Sequence, residues 1–135
     1  MASYSPNPLW KKLGYKQGLT AHVHQPPADY LTALALPADI EVSWAKRAAP
    51  GSAFIHAFVR DSAELKHLLA VYRQVLAPDG TLWISWPKKA SKVPTEITEN
   101  RVREAALPLG FVDIKVCAVD GTWSGLKLVI RKALR

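Results

Sequence analysis

The segment from Ala53 to Trp86 constrains the fold more than any other part of this 135-residue chain. "AFIHAFVRD" is nearly all apolar, the pattern of a strand covered on both faces. Asp61 follows, and Glu64 sits three residues on, giving a helix cap with an acidic first turn. Leu65, Leu68, Leu69, Tyr72, Val75 and Leu76 then keep the helical period, which commits one face of the helix to a core. "APDG" ends the helix, and "TLWISW" is again strand-like. A strand, a long helix and a second strand in this order make a parallel crossover.

The flanking segments extend the pattern. Asn7 and Pro8 read as an N-cap and a first helical residue, with Leu9, Trp10 and Leu13 on one face and Gly14 closing the turn. A first strand lies in "LTAHVHQ" and is stopped by Pro26-Pro27. Asp29 is placed to cap a helix through "YLTALAL", ending at Pro37. "DIEVSWAK" gives a second strand, with Ile40, Val42 and Trp44 on one face. "RAAPGS" joins it to the third strand. Six residues are short for a parallel crossover, so strands two and three are expected to be short, irregularly joined or antiparallel. Beyond the fourth strand, "PKKASKVP" is a loop. Thr95 is placed to cap a helix that turns Val102, Ala105, Ala106 and Leu109 inward, before Pro108 and Gly110 end it. "FVDIKVCAV" alternates Val112, Ile114, Val116 and Ala118 against Asp113, Lys115 and Cys117. "DGTWSG" turns it into "LKLVIRK", antiparallel to it. The expected fold is a three-layer, Rossmann-like α/β domain spanning residues 1–135, with residues 1–14 as a helical extension. Its sheet has about six strands, mostly parallel, with an antiparallel C-terminal hairpin.

Composition narrows the function classes. No apolar run approaches the roughly 18 residues of a membrane span. The first twelve residues lack the charged-then-apolar order of a signal peptide. Cys117 is the single cysteine, so an internal disulfide and a cysteine zinc cage are both excluded. These features point to the cytoplasm. The net charge is +7 and the pI about 9.7, which favours anionic partners. The basic residues are scattered rather than gathered in an arm, so nucleic-acid binding is expected to be weak and non-specific.

The "LAPDG" turn feeding a strand, and the "LGF" helix exit feeding a terminal hairpin, resemble the second half of a Rossmann-like methyltransferase domain. The segment "LGYKQGLTAHVHQPP" occupies the place of that family's first strand and glycine loop. Such a loop grips a nucleotide-like cofactor because only glycine lets the backbone approach closely. Here it reads His22-Val23-His24-Gln25-Pro26-Pro27, and the second strand ends in Ala45-Lys46-Arg47 instead of an acid. Both departures argue against S-adenosylmethionine or NAD in the usual mode, so no cofactor is expected. "SWPKK" and the segment from Thr95 to Lys132 also resemble a family of small bacterial proteins classed as a domain of unknown function. That resemblance covers about residues 5–132 and carries over no catalytic residue.

In an open α/β sheet, ligands bind beyond the carboxyl ends of the strands. Trp86, Lys88 and Lys89 lie there, an anion-binding pair beside a stacking surface. Trp123, in the "DGTWSG" turn, is a fourth candidate, facing either the core or a partner. His22 and His24, with His56 on another strand, would offer three imidazoles to zinc if those strands were neighbours. No carboxylate accompanies them, and no metal site is assigned. The expected function is a non-catalytic module binding a protein partner or a small anion. A small enzyme with a crevice near Trp86 and Lys88 is the alternative, with His24, Asp29 and Glu96 as the available bases.

Overall fold

The structure, a computed structural model, describes residues 7–135. The reading of the extreme N-terminus as free of a signal peptide therefore lies in part outside the described residues. Ten main elements follow one another: α1 (Leu9–Leu13), β1 (Thr20–His24), α2 (Tyr30–Leu34), β2 (Ser43–Ala45), β3 (Ser52–Phe58), α3 (Ser62–Val75), β4 (Leu76–Pro87), α4 (Glu99–Ala106), β5 (Phe111–Ala118) and β6 (Trp123–Ile130). The sheet order is β2-β1-β3-β4-β6-β5. The first four strands are parallel, and β6 is antiparallel to both β4 and β5.

Period-two alternation in β3 and β4 supplies both layers of core. Ile55, Ala57, Leu82, Ile84 and Trp86 face α3 and α4, meeting Leu65, Leu69, Tyr72, Val102 and Ala106. Phe54, Phe58 and Trp83 face α1 and α2, meeting Leu9, Leu13, Tyr30 and Leu34. Trp83 is fully buried, and its indole Nε1–H donates to the Leu13 carbonyl over 2.8 Å, joining α1 to the sheet. One polar chain also crosses the α1/α2 layer. Tyr15 Oη lies 2.6 Å from Tyr30 Oη, Tyr30 Oη lies 2.8 Å from His56 Nδ1, and His56 Nε2 lies 2.7 Å from Ser85 Oγ. A neutral imidazole donates at one nitrogen and accepts at the other, so these bonds run in a single direction along the chain.

Strand β2 is shorter than expected. It holds only Ser43–Ala45, at the sheet edge, and Ile40 and Val42 fall outside it. Both β2 and β3 are parallel to β1, which lies between them. Residues 46–51 therefore recross β1, with Ala48 packed on the α3/α4 core. A three-residue strand requires a return of only about 10 Å and a lateral step of about 10 Å, which six residues span without a helix.

Local signals misplace several boundaries. Pro8, not Asn7, is the N-cap of α1. Asp29 occupies the N-cap of α2, but its side chain makes no capping bond. The cap of α4 is Thr98, whose Oγ1 accepts from Arg101 N at 3.1 Å, whereas Thr95 Oγ1 donates to the Arg60 carbonyl at 2.7 Å. Leu109 lies in a 3-10 turn after α4 and is exposed. "APDG" does not precede β4 but interrupts it: Ser52 pairs with Leu76, and Phe54 already pairs with Thr81. In β5 a bulge between Asp113 and Lys115 breaks the expected alternation. An inserted residue turns the strand over. Val112 then opposes Val129 on one face, while Val116 opposes Leu126 on the other, and Ile114 and Val116 are exposed.

Candidate binding site at the carboxyl ends of the strands

The chain leaves β1 for β2 on one side and places β3 on the other, so the topological switch point lies between β1 and β3. A crevice of about 420 Å³ opens there, lined by Gln25, Pro26, Phe58, Arg60, Glu64 and Trp123 among others. Gln25 holds a left-handed backbone at φ 51, the conformation a glycine would adopt without strain. Pro26 and Pro27 follow with no N–H to offer. The N-terminus of α3 also points here, but it is already occupied. Asp61 Oδ1 accepts from Glu64 N, and Glu96 Oε1 accepts from Ser62 N, both at 2.8 Å. Glu64 Oε2 lies 3.4 Å from His24 Nε2.

A second groove, of about 480 Å³, lies at the end of β4 on the α3/α4 side. Trp86 and Pro87 line it with Lys89, Lys92, Thr95 and Glu99. Pro87 is the last ladder residue, and Lys89 opens a 3-10 turn that ends at Lys92 with φ 61. Strand β4 lies inside the sheet, paired with β3 as far as Ser85 and with β6 as far as Pro87.

The four sequence candidates converge on one end of the sheet and then separate by face. Trp86 opposes Ser124, whereas Trp123 opposes Pro87, which puts the two indoles on opposite sides. Trp86 joins the α3/α4 core and Trp123 the α1/α2 core, each almost fully buried. Trp123 stands edge-on to Phe58 at 5.0 Å, and Arg60 lies over its ring at 5.5 Å. Lys89 lines the β4 groove with Trp86. Lys88 is not among that groove's lining residues. Its backbone N–H donates to the Thr122 carbonyl at 2.7 Å, and its charge acts on Cys117 together with Lys12 and Lys115. Burial nonetheless holds the Cys117 thiol above its ordinary pKa, against the pull of those lysines.

The remaining candidates are also placed. His22 and His24 point away from His56, because β1 directs them to the α3/α4 side and β3 directs His56 to the other. Neighbouring strands therefore do not bring the three imidazoles together. Asp29 is exposed, and Glu96 is spent on the first turn of α3. Arg103, on α4, is held by Glu99 and, at 2.9 Å, by Asp113. Sequence reasoning missed Lys92, whose position depends on its left-handed turn. It also missed the contact of His24 with Glu64, forty residues apart in sequence.

No family model and no curated protein matches the chain. Solved structures do. A SAM-dependent methyltransferase from Aquifex aeolicus aligns with TM-score 0.62 at 18% identity, over 96% of this chain and 91% of that one. Aeropyrum pernix fibrillarin, solved with bound S-adenosyl-L-methionine, aligns with TM-score 0.58 at 12% identity, over 94% and 70%. A ribosomal protein L11 methylase from Lactobacillus delbrueckii subsp. bulgaricus aligns with TM-score 0.55 at 14% identity, over 91% and 75%. The chain thus has a Rossmann-like, methyltransferase-type α/β fold.

Proposed function

We propose that this chain is a non-catalytic binding module on a methyltransferase-type scaffold, acting as a single domain and taking a small anion in the groove at the end of β4. The observation that carries this reading is that Lys89 and Lys92 line one groove with the buried Trp86, while the carboxylate in that groove, Glu99, is bound to Arg103. A lysine ammonium is a flexible point charge suited to a phosphate or carboxylate. An acidic side chain of a protein partner offers the same chemistry. The resemblance to small bacterial proteins and the lack, among the described residues, of a helix long and apolar enough to cross a membrane support a role in the bacterial cytoplasm.

The fold implies S-adenosylmethionine, but the residues at the switch point do not fit it in the usual mode. Pro26 and Pro27 remove backbone donors where a glycine loop would supply them, and Lys46 and Arg47 follow β2 where a carboxylate would meet the ribose. Helix α2 has five residues and no capping bond, too short to present a useful positive end. A small enzyme is the second reading, favoured by the contact of His24 with Glu64 beside the 420 Å³ crevice. It uses acid–base chemistry by His24 rather than the methyl donor.

Titration of the ¹⁵N-labelled chain with inorganic phosphate, followed by NMR, tests the leading reading. The expected result is saturable shifts at the amides of Lys89 to Val93, lost in the Lys89→Ala, Lys92→Ala double variant. Absence of saturable shifts there would overturn it.

A further inference from the structure

Residues 46–51 cross β1 as a loop on the α3/α4 face, whereas the β3-to-β4 crossover on that face carries the fourteen-residue helix α3. A loop has less bulk than a helix, and the sheet beneath it is left partly open. A cavity of about 530 Å³ results, larger than either opening at the carboxyl ends. It lies around Thr20–His22 of β1 and Ser52–Phe54 of β3, the amino-terminal halves of both strands. It is therefore separate from the switch-point crevice and from the Trp86 groove.

The chemistry of the walls has one sign. Lys16 and Arg47 both line the cavity, and no Asp or Glu is among its lining residues. Neither cation is in an ion pair among the described residues. His22 is fixed at the wall because its Nδ1–H donates to the Ala45 carbonyl at 3.0 Å, a carbonyl being able only to accept. Gly18 and Gly51 stand at the rim with φ 82 and 86, and nothing lies within 4 Å of where a Cβ would be. The rim is thus sterically open, while the Gly18 and Gly51 N–H groups are already given to the Glu41 and Val75 carbonyls, which leaves recognition to the side chains. Leu19, Pro50 and Ala49 give the remaining wall an apolar character suited to an organic body.

We propose that this cavity is a binding site for a small molecule carrying a phosphate group. The planar Arg47 guanidinium matches two phosphate oxygens at once, and Lys16 adds a mobile second charge. The Thr20 hydroxyl at the wall provides a neutral donor. The volume falls within the range of small-molecule sites and far exceeds a bare phosphate, leaving room for a sugar-sized remainder. A dianionic guest would offset both positive charges that line the cavity.

The test uses the full ¹⁵N-labelled chain and glycerol 3-phosphate, with citrate and sodium chloride at matched ionic strength as the other arms. Saturable shifts are expected at the amides of Gly18, Thr20, His22, Gly51 and Ser52 with glycerol 3-phosphate only. Arg47→Ala should weaken that binding at least tenfold, and Lys16→Ala should weaken it less. The Lys89→Ala, Lys92→Ala variant should leave these shifts intact, which keeps this site distinguishable from the one at the end of β4. Both Lys16 and Arg47 are exposed, so the variants should fold, and dispersed spectra will verify it. Equal shifts with citrate or chloride, unchanged affinity in both variants, or no saturable response at these amides would overturn the proposal.

Discussion

His56 Nε2 and Ser85 Oγ meet at 2.7 Å across the parallel β3–β4 pair, and neither residue is exposed to solvent. On its other side the imidazole is bonded to Tyr30, and it stacks on Phe58 with ring centres 4.3 Å apart. Desolvation lowers the His56 pKa from 6.5 to about 3, because burial disfavours the charged ring. The unfolded chain binds a proton below pH 6.5, and the folded one does not. The stability held by neutral His56 is therefore complete above that pH and is lost as the pH falls toward 3. At pH 5 the loss is about 2 kcal/mol. Urea unfolding at pH 7.5 and pH 5 should reveal this loss in the parent chain. A His56→Gln variant should be less stable at neutral pH and show a smaller pH dependence. Equal pH dependence in both chains would assign the acid sensitivity elsewhere.

Gly125 is set by its neighbours rather than by backbone freedom. A Cβ there would lie 3.1 Å from Ser85 Oγ, 3.2 Å from Trp83 Cε3 and 3.4 Å from Val119 Cγ2. Trp83 and Ser85 are fully buried and have little room to retreat. Gly125→Ala should therefore destabilise by about 1–3 kcal/mol, the usual cost of overpacking. The urea midpoint should fall with an unchanged slope. An unchanged midpoint would mean that the β4–β6 contact yields.

S-adenosylmethionine should not bind tightly. Calorimetric titration should give no dissociation constant at or below about 100 μM, a strength near −5.5 kcal/mol that needs specific contacts. Gln25 at φ 51 and the two prolines after it supply none of the close backbone approach. Tighter binding would show that this turn grips the cofactor by another route.

Nucleic acid should bind only through charge. Lys115 and Lys127 oppose each other across the β5–β6 pair, and desolvation followed by the Lys115 charge lowers the Lys127 pKa. Fluorescence anisotropy with unrelated duplexes should show similar affinities at 50 mM salt and a steep loss at 200 mM. Sequence-selective binding that survives the higher salt would reveal a recognition surface on this face.

The β3-α3-β4 unit was legible in the sequence because its determinants are local. The apolar run Phe54–Val59, the Asp61 cap and the leucine spacing of α3 each act over a few residues, and all agree. The terminal hairpin was legible for the same reason, since a short turn leaves two strands little choice but to pair. The sequence also exposed the weak point at "RAAPGS", but not its outcome. That Ser43–Ala45 alone would pair with β1 was decided by a contact between distant segments. Tertiary structure also decided facing. The bulge in β5 turned Val116 away from the face of Val112, and the register of β4 on β6 put Trp86 and Trp123 on opposite sides of one sheet. Thr98 rather than Thr95 caps α4 because Thr95 is bound to Arg60, thirty-five residues away. Periodicity and capping are short-range and can be read along the chain. Register, facing and the burial of His56 against Ser85 arise only when strands from separate segments are brought side by side.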